Sequence, residues 1–189
     1  DSIPSSLRSQ GGNDWYFAKL SPDFELEWEY SVGGTMDDSF EKHLTAAEPS
    51  AGMYVFGDTI YLTFPFQSDS VQINPDKSNP VYVYSSSYEF GMSGWGLLNE
   101  DAVIGRYVVE DGSLRLLNYR VLSWDSLPQN IRKDQNGVTQ AYIYCKDSLD
   151  LGRATLRHYE LTPDLTMKRI DPYKGENSIY MNGFDNYLY

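Results

Sequence analysis

Apolar and polar residues alternate along most of this chain in short runs. "DWYFAKL", "FELEWEYSV", "GMYVFGDTIYLTF", "PVYVYSS", "AVIGRYVV", "LRLLNYRVL", "TQAYIYC", "ATLRHYEL", "LTMKRI" and "NSIYMNG" all have period two, the pattern that puts successive side chains on opposite faces of a strand. Between them stand Ser-Pro-Asp, Asn-Pro-Asp, Glu-Asp-Gly-Ser, Gln-Asn-Gly and Thr-Pro-Asp, residues that preset φ or accept backbone N–H bonds in tight turns. Two stretches read otherwise. "MDDSFEKHLTAAEP", with Asp37 or Asp38 as N-cap, and "WDSLPQNIRKDQNG", broken by Pro128, suit short helical turns. Many short strands with close turns predict an all-β domain, as a sandwich, barrel or propeller.

A repeat favours the propeller. "WYFAKLSPDFELEWEYSV", "VIGRYVVEDGSLRLLNYRVL" and "TLRHYELTPDLTMKRIDPY" each place a strand, a turn around an aspartate and a second strand in the same order, with structural turn residues Asp23, Asp111 and Asp164. With Asp69 as a further candidate, the steps are 46, 42 and 53 residues, about the length of a four-stranded blade. An Asp at such a turn accepts bonds from the N–H groups just beyond it.

Gly11, Gly12, Asp14, Phe17, Lys19, Leu20, Asp23, Trp28, Gly33, Gly34, Asp37 and Asp38, followed by Gly52, Tyr54, Val55, Gly57 and Thr59, resemble a bacterial secreted or surface β-propeller repeat. That repeat reads roughly GG-x-D-x-[FY]-V-x-K-L-[DN]-x-D-G-x-x-x-W-x-x-x-x-GG-x-x-D-D. The turn departs from it: Phe24 stands where the repeat has glycine. Ser21, Asp23 and Trp28 are also similar to an Asp-box, a structural turn between blade strands. The resemblance implies a small propeller of about four blades, with residues 1–10 as a flexible leader and 11–189 as a single domain. "ENSIYMNGFDNYLY" resembles the inner half of the repeat and "DWYFAKLSPDFELEWEY" the outer half, so first and last strands would pair in one blade and leave no open edge. A β-sandwich or barrel is the alternative.

Composition narrows the function classes. Net charge is −12, which repels phosphate backbones and anionic lipid surfaces, so no nucleic acid and no membrane insertion is expected. The single cysteine, Cys145, lies in an alternating run and is expected as a buried small hydrophobe. His43 and His158 lie far apart without motif spacing. No G-x-S-x-G, H-E-x-x-H or phosphate loop occurs, and no catalytic residue, metal site or cofactor is assigned. The acidic residues Asp37, Asp38, Glu48, Glu100 and Asp101 are candidates for a carboxylate pair in a central channel, the basis of an alternative reading as a carbohydrate-active enzyme. Asn74–Asn79 and Lys133–Gly137 carry alternating oxygen side chains, which turn formation explains better than calcium.

Binding has more support. Aromatic residues reach 15%, with 16 Tyr, and "YVYSSSYEFGMSGWG" mixes rings, Ser and Gly as binding surfaces do. The candidate binding residues are Tyr82, Tyr84, Tyr88, Trp95 and Tyr187. The expected function is that of a non-catalytic binding or scaffold protein, secreted, periplasmic or attached to the cell surface as a lipoprotein would be. It would present aromatic-rich loops to a protein or glycan. The start at Asp1 without methionine fits a removed leader.

Overall fold

The computed structural model describes residues 9–36, 38, 51–86, 101–123, 126–146 and 154–170. Among them the chain is all-β: β1 (Trp15–Leu20), β2 (Leu26–Val32), β3 (Gly52–Phe56), β4 (Thr59–Phe66), β5 (Ser70–Gln72), β6 (Tyr82–Tyr84), β7 (Asp101–Glu110), β8 (Ser113–Leu122), β9 (Ser126–Lys133), β10 (Thr139–Lys146), β11 (Ala154–Leu161) and β12 (Met167–Arg169). Every pairing is antiparallel. The sheets are β1-β2, β5-β6, β3-β4-β7-β8 and β12-β11-β10-β9, none closed on itself.

Among the described residues, the β3-β4-β7-β8 sheet lies between two cores, and its inner strands β4 and β7 are largely buried on both faces while β3 and β8 are partly exposed. From Ile60 to Phe66 every residue of β4 is buried. Alternation sends Ile60, Leu62, Phe64 and Phe66 into one core, with Val103 and Tyr107 of β7. There they meet Phe17, Trp28, Tyr30 and Val32 of the β1-β2 hairpin and Val71 and Val83 of the β5-β6 hairpin. The opposite face sends Tyr61, Ala102, Ile104 and Leu122 into a second core with Ile131, Ala141, Ile143, Cys145, Leu161 and Leu165 of the β9–β12 sheet. Cys145 is thus buried among apolar neighbours, as its alternating run implies. Aromatic rings fill the first core: Tyr30 and Tyr107 lie 6.2 Å apart, and the Tyr107 hydroxyl donates to the Ile73 carbonyl at 2.9 Å.

One element differs from its sequence expectation. The stretch around Pro128 is the strand β9, not a helical turn. It is the edge of its sheet, and the register slips between the Tyr142–Asn130 and Ile143–Pro128 pairs. An edge position beside a bulge is where a strand tolerates a residue without an N–H. The other stretch, 36–49, and "NSIYMNG" lie almost wholly outside the described residues, as does the pairing of first and last strands.

The three aspartate turns are related but not identical. Ser21–Glu25 and Thr162–Thr166 form the same five-residue turn. Its first N–H donates to the fifth carbonyl (2.8 and 3.0 Å) and its fourth N–H to the first carbonyl (2.9 Å in both). The fourth residue is left-handed in each, with φ 63° at Phe24 and 62° at Leu165. Asp111 instead begins a two-residue turn with Gly112, both at positive φ, the geometry that suits strand twist in tight hairpins. A third copy of the five-residue turn occurs at Asp134–Val138, where the acid occupies the first position and its Oδ1 accepts the N–H groups of Asn136 and Val138 at 2.8 and 2.9 Å. This Asx geometry, with that of Asn74 and Asp76, is the turn role expected of those oxygen-rich stretches.

Candidate functional site

Tyr82 and Tyr84 are the candidate binding residues that fall within the described chain. β5 and β6 pair Ser70 with Tyr84, Val71 with Val83 and Gln72 with Tyr82. Val71 and Val83 enter the first core, so alternation turns both tyrosines to the other face, where they are 51% and 70% exposed. Further bonds extend the ladder: Ile73 N–H to the Val81 carbonyl at 2.8 Å and Ser85 N–H to the Asp69 carbonyl at 3.0 Å. Two rings thus stand side by side on a ribbon pinned by its own core, beside the Ser70 hydroxyl and the Gln72 amide. Tyr88, Trp95 and Tyr187 lie outside the described residues.

The paired glycines and acids of the repeat converge on a different task. Asp38 is buried, 2% exposed. Its Oδ1 accepts the N–H groups of Gln67 and Ser68 at 2.7 and 2.8 Å. Its Oδ2 accepts the Gly34 N–H at 2.6 Å and the Ser68 hydroxyl at 2.7 Å. One carboxylate therefore ties the end of the β1-β2 hairpin to the β4–β5 connection. Gly34 lies so close that a Cβ there would sit 2.4 Å from the Ser68 Cβ and 2.5 Å from the Ser70 carbonyl oxygen, and a Cβ at Gly33 would sit 2.0 Å from Asp14 Oδ1. Asp101 is buried as well and receives the Ser86 hydroxyl at 2.9 Å and the Ser86 N–H. Of the five acidic candidates, these two act as acceptors inside the fold. Among the others, Glu48 and Glu100 lie outside the described residues, as does Asp37.

Two clefts share Trp28. One, of about 380 Å³, is lined by Leu20, Trp28, Met53, Val55, Ile60 and Val109. The other, of about 440 Å³, is lined by Trp28, Glu29, Asp76, Ser113 and Leu114 among others. The indole N–H of Trp28 is buried without an acceptor. No sequence signal marks these clefts, because they form between segments far apart in the chain: β1 and β2, the β3-β4 hairpin, the loop at Pro75–Asp76 and the β7-β8 turn.

The outward face of the β9–β12 sheet carries a row of planar groups. The rings of Tyr142 and His158 stack at 4.5 Å with planes 10° apart, and the Arg132 guanidinium lies 4.7 Å from the Tyr142 ring centre. Gln140 donates to Asp134 Oδ2 at 3.2 Å, which leaves its carbonyl oxygen to face His158 Nε2 at 3.0 Å. That network assigns the proton of the neutral imidazole to Nε2. Partial burial, and secondarily the Arg132 charge, hold the His158 pKa below the ordinary imidazole value. The unfolded chain therefore binds this proton more tightly than the folded one. Stability contributed by neutral His158 is lost as pH falls from about 6.5, the unfolded value, through the lower folded value. We expect an NMR titration to place the His158 midpoint lower in the folded protein than in the urea-unfolded chain, and His158→Gln to flatten the fall in Tm across that acidic window. Equal midpoints in the two states would contradict this arrangement.

No family model matches the chain, and no curated protein or solved structure is significantly similar to it.

Proposed function

We propose that this is a non-catalytic binding or scaffold protein, secreted or attached to a bacterial cell surface, whose stacked sheets are blades of a small propeller-like array. Its partner is a protein or glycan. The observation that carries the binding reading is the pair Tyr82 and Tyr84, held half to two-thirds exposed on a ribbon whose alternate residues are core. Tyrosine has only two side-chain torsions, so on a pinned backbone it loses little entropy on binding and presents an apolar face with a polar tip. Hydroxyl and amide groups beside them suit a sugar or a polar peptide segment. The blade reading draws support from the face-to-face stacking of the β1-β2, β3-β4-β7-β8 and β9–β12 sheets in chain order. It also draws on the recurrence of one turn at Ser21–Glu25 and Thr162–Thr166.

The test is a glycan array and cell-surface pull-down on the wild type and on Tyr82→Ala/Tyr84→Ala. The double variant should lose at least tenfold in affinity for any ligand found. Because both side chains are exposed, stability should move by only about 0.5 kcal/mol or less per site. A ligand bound equally by wild type and variant would place the binding surface elsewhere. Turnover of a glycoside that dies with one carboxylate substitution would replace the binding reading with an enzymatic one.

A further inference from the structure

Phe24 breaks a local rule. It is 77% exposed at the tip of the β1-β2 hairpin and holds φ at 63°, a left-handed conformation that L side chains rarely adopt and glycine adopts freely. A bulky apolar residue there carries backbone strain and gains no burial.

The matching turn shows what such a residue does. Leu165 has the same place in the Thr162–Thr166 turn, the same φ of 62°, and is 1% exposed. It plugs into the second core, against the sheet that precedes its own in the chain. The carbonyls beside it are capped from that sheet: Arg106 and Asn118 donate to the Pro163 carbonyl at 3.0 and 2.8 Å, and Arg120 to the Leu165 carbonyl at 3.2 Å. By this equivalence Phe24 is a plug whose socket is the outward face of a preceding sheet. That face of the hairpin also carries Tyr16 and Glu29, joined by a hydrogen bond from the Tyr16 hydroxyl to the Glu29 carboxylate at 2.9 Å, since Phe17, Trp28 and Tyr30 are turned to the first core; Glu27 stands at the bulge and is ion-paired with Lys19.

A face of the required kind ends the described chain. On the β9–β12 sheet, His158 precedes Tyr159 as Arg106 precedes Tyr107. The outward side carries Arg132, Tyr142, His158 and Lys168, with Glu160 and, beside Gln140, Asp134 as its carboxylates. Charge is segregated to match. Residues 1–105 hold 16 of the 27 acidic and 4 of the 15 basic side chains, hence the entire net charge of −12, whereas residues 106–189 hold 11 of each. With turns included in both, the β1-β2 hairpin (residues 15–32) has Asp23, Glu25, Glu27 and Glu29 against Lys19, and residues 126–170 have seven cations against five acids.

We propose that the chain self-associates head to tail: the Phe24 tip and acidic outer face of one copy's β1-β2 hairpin dock on the Arg132–Tyr142–His158 face of a second copy. This rests on the equivalence of the two turns and is independent of the tyrosine-binding reading. The contact joins unlike surfaces, so it propagates into open chains unless the rotation closes a ring. Arg132 is propped against Tyr142 and loses little freedom in meeting a carboxylate. Opposite charges across the contact make it weaken with salt, as the screening length shortens from about 10 Å at 0.1 M.

Sedimentation velocity across protein concentration and ionic strength tests it. The wild type should form dimers and higher species at low salt that dissociate as salt rises. Phe24→Gly should move two readouts in opposite directions. Self-association should fall at least tenfold, while Tm rises because the turn strain is relieved. Arg132→Glu/Lys168→Glu and Asp23→Lys/Glu29→Lys should each be monomeric alone and should associate when mixed, since the mixture restores opposite charges at every contact. Recovery on mixing also certifies that both variants are folded. A wild type that stays monomeric at low salt and high concentration overturns the proposal. So does association that survives in Phe24→Gly, or a symmetric dimer that survives in the Arg132→Glu/Lys168→Glu variant, and capture of an acidic glycan or peptide on the same face with no self-association would assign the face to that ligand instead.

Discussion

Asp38→Ala is expected to destabilise the fold by about 3–5 kcal/mol, read as a drop in the urea midpoint at unchanged m-value. The carboxylate receives four donors, three of them backbone N–H groups that have no side chain to remove. Deleting the acceptor strands Gly34, Gln67 and Ser68 donors in a buried site, and each buried unsatisfied donor costs about 1–3 kcal/mol. Some of that cost is recovered by water entering the gap, which keeps the total below the sum. Asp38→Asn should fall between wild type and Ala. Its oxygen still serves the donors on one side, but its NH₂ group faces further donors on the other. Gly34→Ala attacks the same knot from the backbone, since its Cβ cannot coexist with Ser68 and Ser70 as placed. The two substitutions together should be markedly less damaging than the sum of each alone, because they break one cluster. Additive losses would mean that Asp38 and Gly34 act in separate places.

The second large effect comes from the central sheet. Phe64→Ala should cost about 3–5 kcal/mol and Ile104→Ala about 2–5 kcal/mol, the range for large-to-small changes in a packed core. Phe64 lies in the first core, 1% exposed, and Ile104 in the second, fully buried. Both losses should occur because the inner strands β4 and β7 face a core on each side. In an arrangement with one face solvated, one of these two substitutions would fall within about 0.5 kcal/mol of wild type. Urea melts of the two variants decide between these outcomes.

How much of this was legible in the residues themselves follows from the range of the interactions involved. Period-two alternation and turn chemistry act over a few residues, and they mark most of the strands and the turns at Asp23, Asp134 and Asp164; at the first, though, it is the Ser21 hydroxyl and not the Asp23 carboxylate that accepts the N–H groups of Asp23 and Glu25, at 3.2 and 3.1 Å. β9 was missed because Pro128 reads locally as a helix breaker, and only the sheet order shows it to be an edge beside a bulge. The aspartates alone do not align the turns. The backbone hydrogen bonds equate Asp23 with Asp164, give Asp111 a different turn, and place the third equivalent at Asp134–Val138 with its acid shifted. The buried roles of Asp38 and Asp101 were hidden among 27 acidic residues. The donors that bury Asp38 come from Gln67 and Ser68, about thirty positions away in sequence, beyond the reach of any local pattern. The split of tyrosines around Val83 was legible from alternation, whereas the exposure of Phe24 was not, because only the matching Leu165 reveals what that turn position is for.

The layered fold places the β3-β4-β7-β8 sheet between two cores, with the β1-β2 hairpin on one side and the β9–β12 sheet on the other. Methyl-resolved NOESY on a sample labelled at Ile, Leu and Val tests this most directly. Leu62 and Val103 should connect to Val32 and Val71, and Ile104 and Leu122 to Ile131 and Ile143. If Ile104 instead exchanges magnetisation with water and has no cross-peak to Ile131 or Ile143, the two sheets do not stack and the layered arrangement is wrong.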